Sequence, residues 1–233
     1  MWMKKLGFEL SHLPIEIRDS EIDGDQFLKM ADAFLERGFT YFDTAGSWKN
    51  ETVFQEAVVK RYHRFAYTVT DQIPDLPIQR TEELQDFFDM QLEHLGVEYM
   101  DYYLIRAENE MTFQKMEKLC AFDFVKKLKK EGSIKHIGLL YRGDAARLKE
   151  IFLLHPEIEY IQMPLQNSCW YQEKGQTRLC YETAVRYRKP VISMAVRQDS
   201  DLGRTADPSG VMVVLAGMKN QNELEKNMQY FEK

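Results

Sequence analysis

Short apolar runs alternate with longer amphipathic stretches along the chain, and this alternation limits the fold more than any other feature. Several runs are apolar almost throughout, as expected of parallel strands covered on both faces. Strands alternating with helices form a parallel sheet, and right-handed crossovers in series close it into a barrel. We predict one domain over residues 1–233, an α/β fold of the (β/α)8 TIM type, with an open doubly wound sheet as the alternative. The eight predicted strands cover residues 6–10, 39–43, 65–70, 100–105, 134–140, 158–163, 191–196 and 211–216.

The segments between these runs carry helix-boundary signals. Thr81 is a candidate N-cap for a helix that Gly96 ends. Asn220 and Glu223 have the spacing of a capping box ahead of the last amphipathic stretch. These signals predict helices after the third strand and after the eighth.

The connection between the seventh and eighth strands is abnormal. Residues 197–210 contain two glycines, one proline and a single strong hydrophobe, Leu202. Such a segment cannot supply the apolar face that a helix needs to pack on a sheet. We predict that the seventh helix is shortened or missing, and that a homodimer contact or a partner protein covers the last two strands.

Composition excludes several classes of protein. The formal net charge of −6 argues against a nucleic-acid partner, which favours a basic face. No run approaches the roughly 18 apolar residues of a membrane helix, and the first residues do not form a signal peptide. Three cysteines without C-x-x-C spacing predict a reducing, cytoplasmic location. The five histidines lack metal-ligand spacing, so no metal site is predicted.

Four stretches occur in an order that is typical of one family. They are Phe-Asp-Thr-Ala at 42–45, Asp-Tyr-Tyr-Leu-Ile at 101–105, Gly-Ser-Ile-Lys-His-Ile-Gly at 132–138 and Val-Met-Val-Val-Leu-Ala-Gly at 211–217. The chain resembles the aldo/keto reductases from about residue 5 to residue 231. It is most similar to bacterial members that often carry a C-terminal iron–sulfur tail, here without that tail. The resemblance implies a barrel that transfers hydride from NADPH or NADH to a carbonyl.

The resemblance also implies which residues do the chemistry. The family uses a tyrosine as proton donor, a lysine and an aspartate that tune it, and a histidine that orients the substrate oxygen. The aspartate corresponds to Asp43, whereas the tyrosine, lysine and histidine correspond to Trp48, Asp71 and Arg106. An indole does not titrate usefully and an arginine stays protonated, so neither replaces the missing acid. Tyr141, which follows a predicted strand end, is the best substitute proton donor.

On the cofactor side, the resemblance implies a partly retained dinucleotide site. Leu140 and Tyr141 stand where the family has the Ser-Asn pair that holds the nicotinamide amide. The retained positions belong to the sixth strand and to the last strand–helix unit. They are Gln162, Gly217, Lys219, Asn220, Glu223 and Asn227.

Three interpretations follow from these substitutions. In the first, standard carbonyl reduction is lost. A cluster of Asp43, Asp71 and Arg106 at the barrel mouth then binds a small molecule or a partner, or runs non-redox acid–base chemistry. The structural alternative is that these three residues form a plain ion-pair network at the mouth. In the second, the protein is an active oxidoreductase with NADP or NAD and a substituted donor such as Tyr141. In the third, the barrel is a protein-interaction module. Trp48 is interpreted as a packing plug or as a cap on the pocket.

Overall fold

The computed structural model describes residues 4–13, 23–74, 78–165, 176–194 and 209–232. Within these ranges eight parallel strands pair in chain order, and β1 pairs with β8 to close a barrel. The predicted TIM-type fold is confirmed, and the open doubly wound sheet is excluded. The strands are β1 Leu6–Glu9, β2 Tyr41–Asp43, β3 Thr68–Gln72, β4 Met100–Ala107, β5 Ile134–Tyr141, β6 Tyr160–Pro164, β7 Val191–Met194 and β8 Val211–Gly217.

Helices fill the crossovers between the strands and cover the outside of the barrel. The crossover from β4 to β5 contains two helices, and the second helix continues into a π-helical turn at Gln55–Val59. Most of the connection from β7 to β8, on which the shortened seventh helix is predicted, lies outside the described residues. The helices are α1 Gly24–Glu36, α2 Trp48–Phe54, α3 Thr81–Leu95, α4 Glu110–Lys118, α5 Ala121–Glu131, α6 Ala145–Leu154, α7 Gln176–Arg186 and α8 Gln221–Phe231.

The helix-boundary signals are confirmed at α8 and shifted by one residue at α3. The Asn220 side chain accepts a hydrogen bond of 3.0 Å from the backbone N–H of Glu223, so Asn220 is the predicted N-cap. Thr81 is instead the first helical residue, and the backbone N–H of Gln79 donates to the carboxylate of Glu83. Gly96 ends α3 with a φ of +68°, a conformation that glycine adopts without strain.

Side chains alternate between two apolar cores along each strand. One core lies between the sheet and the helices and contains residues such as Phe8, Phe42 and Val69. The other fills the inside of the barrel. Successive residues of a strand point to opposite faces of the sheet. If one residue belongs to the inner core, the residues before and after it therefore point outward. The buried members of the inner core are Tyr41, Leu104, Leu140, Tyr160, Ile192, Val213 and Leu215.

No helix within the described ranges is long and apolar enough to cross a membrane.

Candidate functional site

A cavity of about 210 Å³ opens above the inner core, at the carboxyl ends of the strands. This end of a (β/α)8 barrel carries the active site in enzymes of this architecture. Charged and amide side chains converge on the cavity from several strands. The described residues that line it are Glu9, Ser11, Asp43, Ala45, Gln72, Arg106, Glu108, Leu140, Arg142, Gln162, Met194 and Leu215.

Asp43 lies at the end of β2 and is the buried acid of this cavity. Its Oδ2 accepts a hydrogen bond of 2.9 Å from Nε2 of Gln162, and its Oδ1 accepts one of 2.9 Å from the backbone N–H of Ala45. Burial raises the pKa of Asp43 to about 7, with a further contribution from the negative charge of Glu9. The predicted site residue Asp43 is therefore in the mouth, and both of its protonation states are populated near neutral pH.

Glu9 is a second acid of the cavity, and sequence reasoning did not identify it. It ends β1, pairs in register with Asp43, and is buried. Its Oε2 lies 2.8 Å from Nδ1 of His12, whose ring also contacts the Ser11 hydroxyl at 2.8 Å. The signal in the sequence was a single charged residue near the end of an otherwise apolar strand.

Arg106 projects from β4 into the same cavity, as predicted. Within the described part of the chain its guanidinium pairs with Glu108, and Nε of Arg142 lies 3.4 Å from the other Glu108 oxygen. The described charge partner of Arg106 is thus Glu108, rather than Asp43 or Asp71 as predicted. Arg142 is about half exposed, so this group of three charges forms the rim of the cavity.

The expectation that Asp71 faces the mouth is wrong. Thr70 and Gln72 point into the barrel, so Asp71 between them points outward to the helical layer. There it is fully buried against Glu51 of α2, also fully buried, and burial raises the pKa of both carboxyls. The predicted cluster of Asp43, Asp71 and Arg106 is therefore not formed as one group in the cavity.

Gln72 is the β3 residue that reaches the cavity. It follows Asp71, the residue that the resemblance matches to the catalytic lysine. Its Nε2 donates a hydrogen bond of 2.9 Å to the carbonyl of Ala45, which has a φ of +59°. Whether Asp71 or Gln72 is matched to the family lysine, the chain has no ammonium group there. Sequence reasoning missed Gln72 because a shift of one residue along a strand exchanges the two faces.

Trp48 lies at the rim and begins α2. It lines a neighbouring open cavity of about 480 Å³ that shares Ala45, Gln72 and Arg106 with the mouth. The indole is 44% exposed and meets the ring of His94 edge-on at 5.3 Å between centroids. Trp48 therefore lines an open cavity beside the mouth and is not a buried plug, and its role as a cap on the pocket stays a prediction.

The proposal that Tyr141 replaces the missing acid is contradicted by its position. Leu140 points into the barrel, so Tyr141 points outward, where its hydroxyl donates a hydrogen bond of 2.7 Å to the carbonyl of Asp144. Burial raises the pKa of Tyr141 further above its usual value. A proton donor needs contact with the substrate and a lower pKa, and Tyr141 has neither.

The residues predicted for the cofactor divide into two groups. Gln162 lies in the mouth and binds Asp43. The others lie at the end of β8 and on α8, where Asn220 caps the helix and Glu223 accepts a hydrogen bond of 2.8 Å from the backbone N–H of Lys219. At Gly217, an added Cβ would lie 2.7 Å from the ring of His12. Lys219 is exposed, whereas Asn227 on α8 is buried.

Comparison with known proteins supports the resemblance. The model of the aldo/keto reductase family matches residues 12–196, more than three quarters of the chain. The chain belongs to the aldo/keto reductase family. No curated protein sequence matches it.

Solved structures of aldo-keto reductases have the same fold at low sequence identity. A Pseudomonas aeruginosa protein assigned to them is 15% identical, with a TM-score of 0.80 over 97% of this chain and 89% of its own. A Bacillus halodurans aldo-keto reductase in its holo form is 18% identical, with a TM-score of 0.71 over 98% and 87%. A Klebsiella pneumoniae aldo-keto reductase in complex with NADPH is 14% identical, with a TM-score of 0.71 over 100% and 91%.

The residues of this aldo/keto reductase fit a nicotinamide poorly. Leu140 presents only methyl groups, and the Tyr141 hydroxyl is bound to Asp144, so neither position offers the polar groups that hold a carboxamide. The amide nitrogen of Gln162 is bound to Asp43. At the other end, Asn220 and Glu223 use their side chains to cap α8. Leu140 and Tyr141 therefore do not supply the polar contacts that the resemblance implies at these two positions.

Proposed function

We propose that the mouth of this aldo/keto reductase barrel binds a small polar molecule and uses Asp43 for non-redox acid–base chemistry instead of nicotinamide-dependent carbonyl reduction. The observation that carries the proposal is the lining of the mouth. Its described residues include no tyrosine and no lysine, while a buried aspartate, two further carboxylates and two guanidinium groups converge there. The carbonyl reduction that the resemblance implies uses a tyrosine as proton donor and a lysine that tunes it, and neither residue type is among these lining residues.

Asp43 suits acid–base chemistry because it is held in place and titrates near neutrality. The hydrogen bonds from Gln162 and Ala45 fix its carboxyl plane, and Glu9 nearby opposes its ionisation. A group with a pKa near the working pH both accepts and donates a proton efficiently. Arg106 and Arg142 at the rim supply the positive charge that orients an anionic part of a ligand.

An active NADPH- or NADH-dependent reductase is the second candidate. The Klebsiella pneumoniae relative in complex with NADPH favours it, as does the retention here of Asp43, Gln162 and the residues around Gly217. The poor fit at Leu140 and Tyr141 weighs against it. The interaction-module prediction concerns the cover over β7 and β8, which lies mostly outside the described residues, and it stays a prediction.

Nicotinamide turnover separates the two candidates. We expect purified protein mixed with NADPH or NADH and a panel of aldehydes and quinones to show no change in nicotinamide absorbance above the protein-free rate. Loss of one oxyanion donor alone costs about 10²–10³ in rate, and here the tyrosine and lysine are both absent from the described mouth. An aldo/keto reductase that has the aspartate, tyrosine, lysine and histidine of the family serves as the positive control. Turnover that Asp43→Asn abolishes would establish the reductase instead.

The acid–base role predicts a measurable titration of Asp43. We expect carbon-13 NMR of the side-chain carboxyls to show one aspartate with a pKa of about 7 that is missing in Asp43→Asn. Glu9→Gln removes the neighbouring negative charge and should lower that pKa by about one unit. Glu56→Gln, an exposed substitution outside the mouth, is the control. An unchanged pKa in Glu9→Gln contradicts the proposed coupling.

A further inference from the structure

We propose that the ligand of the mouth is a small zwitterion, an amine and a carboxylate joined by a short chain. Its ammonium group would lie on the buried floor formed by Glu9, Asp43 and Gln162, and its carboxylate at the rim beside Arg142 and Arg106. The inference rests on the proposed function, because it names the class of the small polar molecule.

The floor consists of hydrogen-bond acceptors. Glu9, Asp43 and Gln162 are 8%, 2% and 4% exposed, and all three line the cavity. The amide nitrogen of Gln162 is bound to Asp43, so it is the amide oxygen that remains for a ligand. That Oε1 atom is buried without a hydrogen-bond partner among the described residues, and a small shift of the Gln162 side chain brings it to a ligand donor in the cavity. An acceptor that is buried without a donor destabilises the empty site, and a ligand donor would remove that penalty.

An ammonium group complements the acceptors of this floor better than a neutral hydrogen-bond donor does. It carries three N–H donors and no acceptor, and three acceptors surround the deep end of the cavity. Its charge would also offset the repulsion between the two carboxylates, Glu9 and Asp43. His12 contacts Glu9 from the side of the β1 loop, so Asp43 gains most from a cationic ligand.

The rim, in contrast to the floor, carries hydrogen-bond donors with positive charge. Glu108 accepts contacts from both Arg106 and Arg142, so two guanidinium groups meet around one carboxylate. A guanidinium has five N–H donors, and Arg142 uses its Nε toward Glu108, which leaves its distal nitrogens for a second carboxylate. Arg142 is half exposed and lines the cavity.

The volume of the cavity suits a short chain between the two charges. A volume of about 210 Å³ corresponds to about seven water molecules at their liquid volume of about 30 Å³ each. A linear amino acid of three to six carbons, with six to nine non-hydrogen atoms, matches this space. Drug-sized ligands need pockets of about 300–1,000 Å³, so a larger substrate fits less well.

Isothermal titration with matched probes tests the inference. The full chain is titrated with the linear ω-amino acids from 3-aminopropanoate to 6-aminohexanoate, and with butylamine, butyrate and 4-hydroxybutyrate. We expect one ω-amino acid to bind at least about tenfold more tightly than any of the three single-charge probes, because each end contributes a charge-assisted hydrogen bond.

Two variants assign the ends of the ligand. Arg142→Gln should weaken the ω-amino acid about tenfold and leave butylamine unchanged, whereas Gln162→Leu should weaken both. A merely structural effect would not divide the probes in this way. Arg178→Gln, which removes an exposed arginine of α7 that does not line the cavity, is the control for Arg142→Gln.

Several results would overturn the inference. They are the absence of binding by every ω-amino acid, equal affinity for 4-hydroxybutyrate and 4-aminobutyrate, and tighter binding of butyrate than of butylamine. The proposed function fails separately, by nicotinamide turnover. A protein that oxidises no NADPH and binds a neutral or purely anionic probe in the mouth keeps the proposed function and loses the zwitterion.

Discussion

Glu51→Gln is expected to remove much of a stability loss that the wild-type protein suffers as the pH rises from about 4.5 to about 9. Glu51 is fully buried beside Asp71, and Nδ1 of His94 lies 3.3 Å from its Oε2. Burial and the adjacent Asp71 charge raise the pKa of Glu51 far above its usual value. A buried carboxyl pair of this kind holds a proton that the unfolded chain has already released.

The direction of the pH dependence follows from that proton. Between the unfolded pKa of about 4.5 and the raised folded pKa, the native state binds more protons than the unfolded state, so stability decreases as the pH rises. The stabilisation that the proton on Glu51 provides is fully present below pH 4.5 and is lost progressively as the pH rises through neutral. A glutamine amide donates to Asp71 at every pH, so we expect Glu51→Gln to gain on the order of 2 kcal/mol of unfolding free energy at pH 8.5 and little at pH 5.

Urea unfolding at pH 5 and pH 8.5 measures this difference. Glu56→Gln is the matched control, because it removes a glutamate only five residues away whose side chain is 59% exposed and pairs with Lys60. It should change stability by less than about 0.5 kcal/mol at both pH values. Equal stabilisation by Glu51→Gln at the two pH values would show that Glu51 does not carry a proton in the folded protein.

The sequence predicted the architecture because hydrophobic periodicity repeats over many residues. All eight strands were located, and the closed order of the barrel follows from right-handed crossovers that leave few alternatives. The cap of α8 at Asn220 was also predicted, since capping requires a specific side chain at a specific spacing. Such signals depend on neighbours in the chain, which the sequence shows directly.

The site was predicted less well because it depends on which face of a strand a residue occupies. Asp43 and Arg106 were placed correctly in the mouth, where Gln162, predicted for the cofactor, also lies, whereas Asp71 and Tyr141 point the other way. Each error is a shift of one residue, from Gln72 to Asp71 and from Leu140 to Tyr141. At a strand end, where the alternation is about to stop, a short motif does not determine the face.

Charges that act across the barrel were missed for a different reason. Glu9 and Glu108 come from β1 and from the residue after β4, and only closure of the barrel brings them to the cavity of Asp43. Glu51 and His94 come from α2 and α3 and meet behind β3. Contacts between residues so far apart in the chain have no local signature, although a charged residue beside an apolar strand is a reason to examine that position.

Gly138→Ala is expected to be the most destabilising small substitution in the barrel. Gly138 lies on β5 in register with Tyr160 of β6 and faces the inner core. A Cβ at this position would lie 2.1 Å from the Tyr160 ring, far inside van der Waals contact. That ring is fully buried and meets Tyr102 edge-on at 5.1 Å, so moving it aside disturbs the packing of the inner core. Overpacking of this degree costs about 3 kcal/mol of unfolding free energy.

A double-mutant cycle with Tyr160→Leu tests whether the tyrosine ring is the cause. Tyr160→Leu alone should be destabilising because it leaves a cavity. It should also make room for the alanine. The free energy of unfolding of the double variant should therefore exceed the value expected from adding the two single changes by at least about 1 kcal/mol. Gly24→Ala, at the start of α1 with nothing within 4 Å of its Cβ, is the control and should change stability by less than about 0.5 kcal/mol. Strict additivity in the cycle would mean that the backbone of β5, and not the ring beneath the mouth, requires glycine at this position.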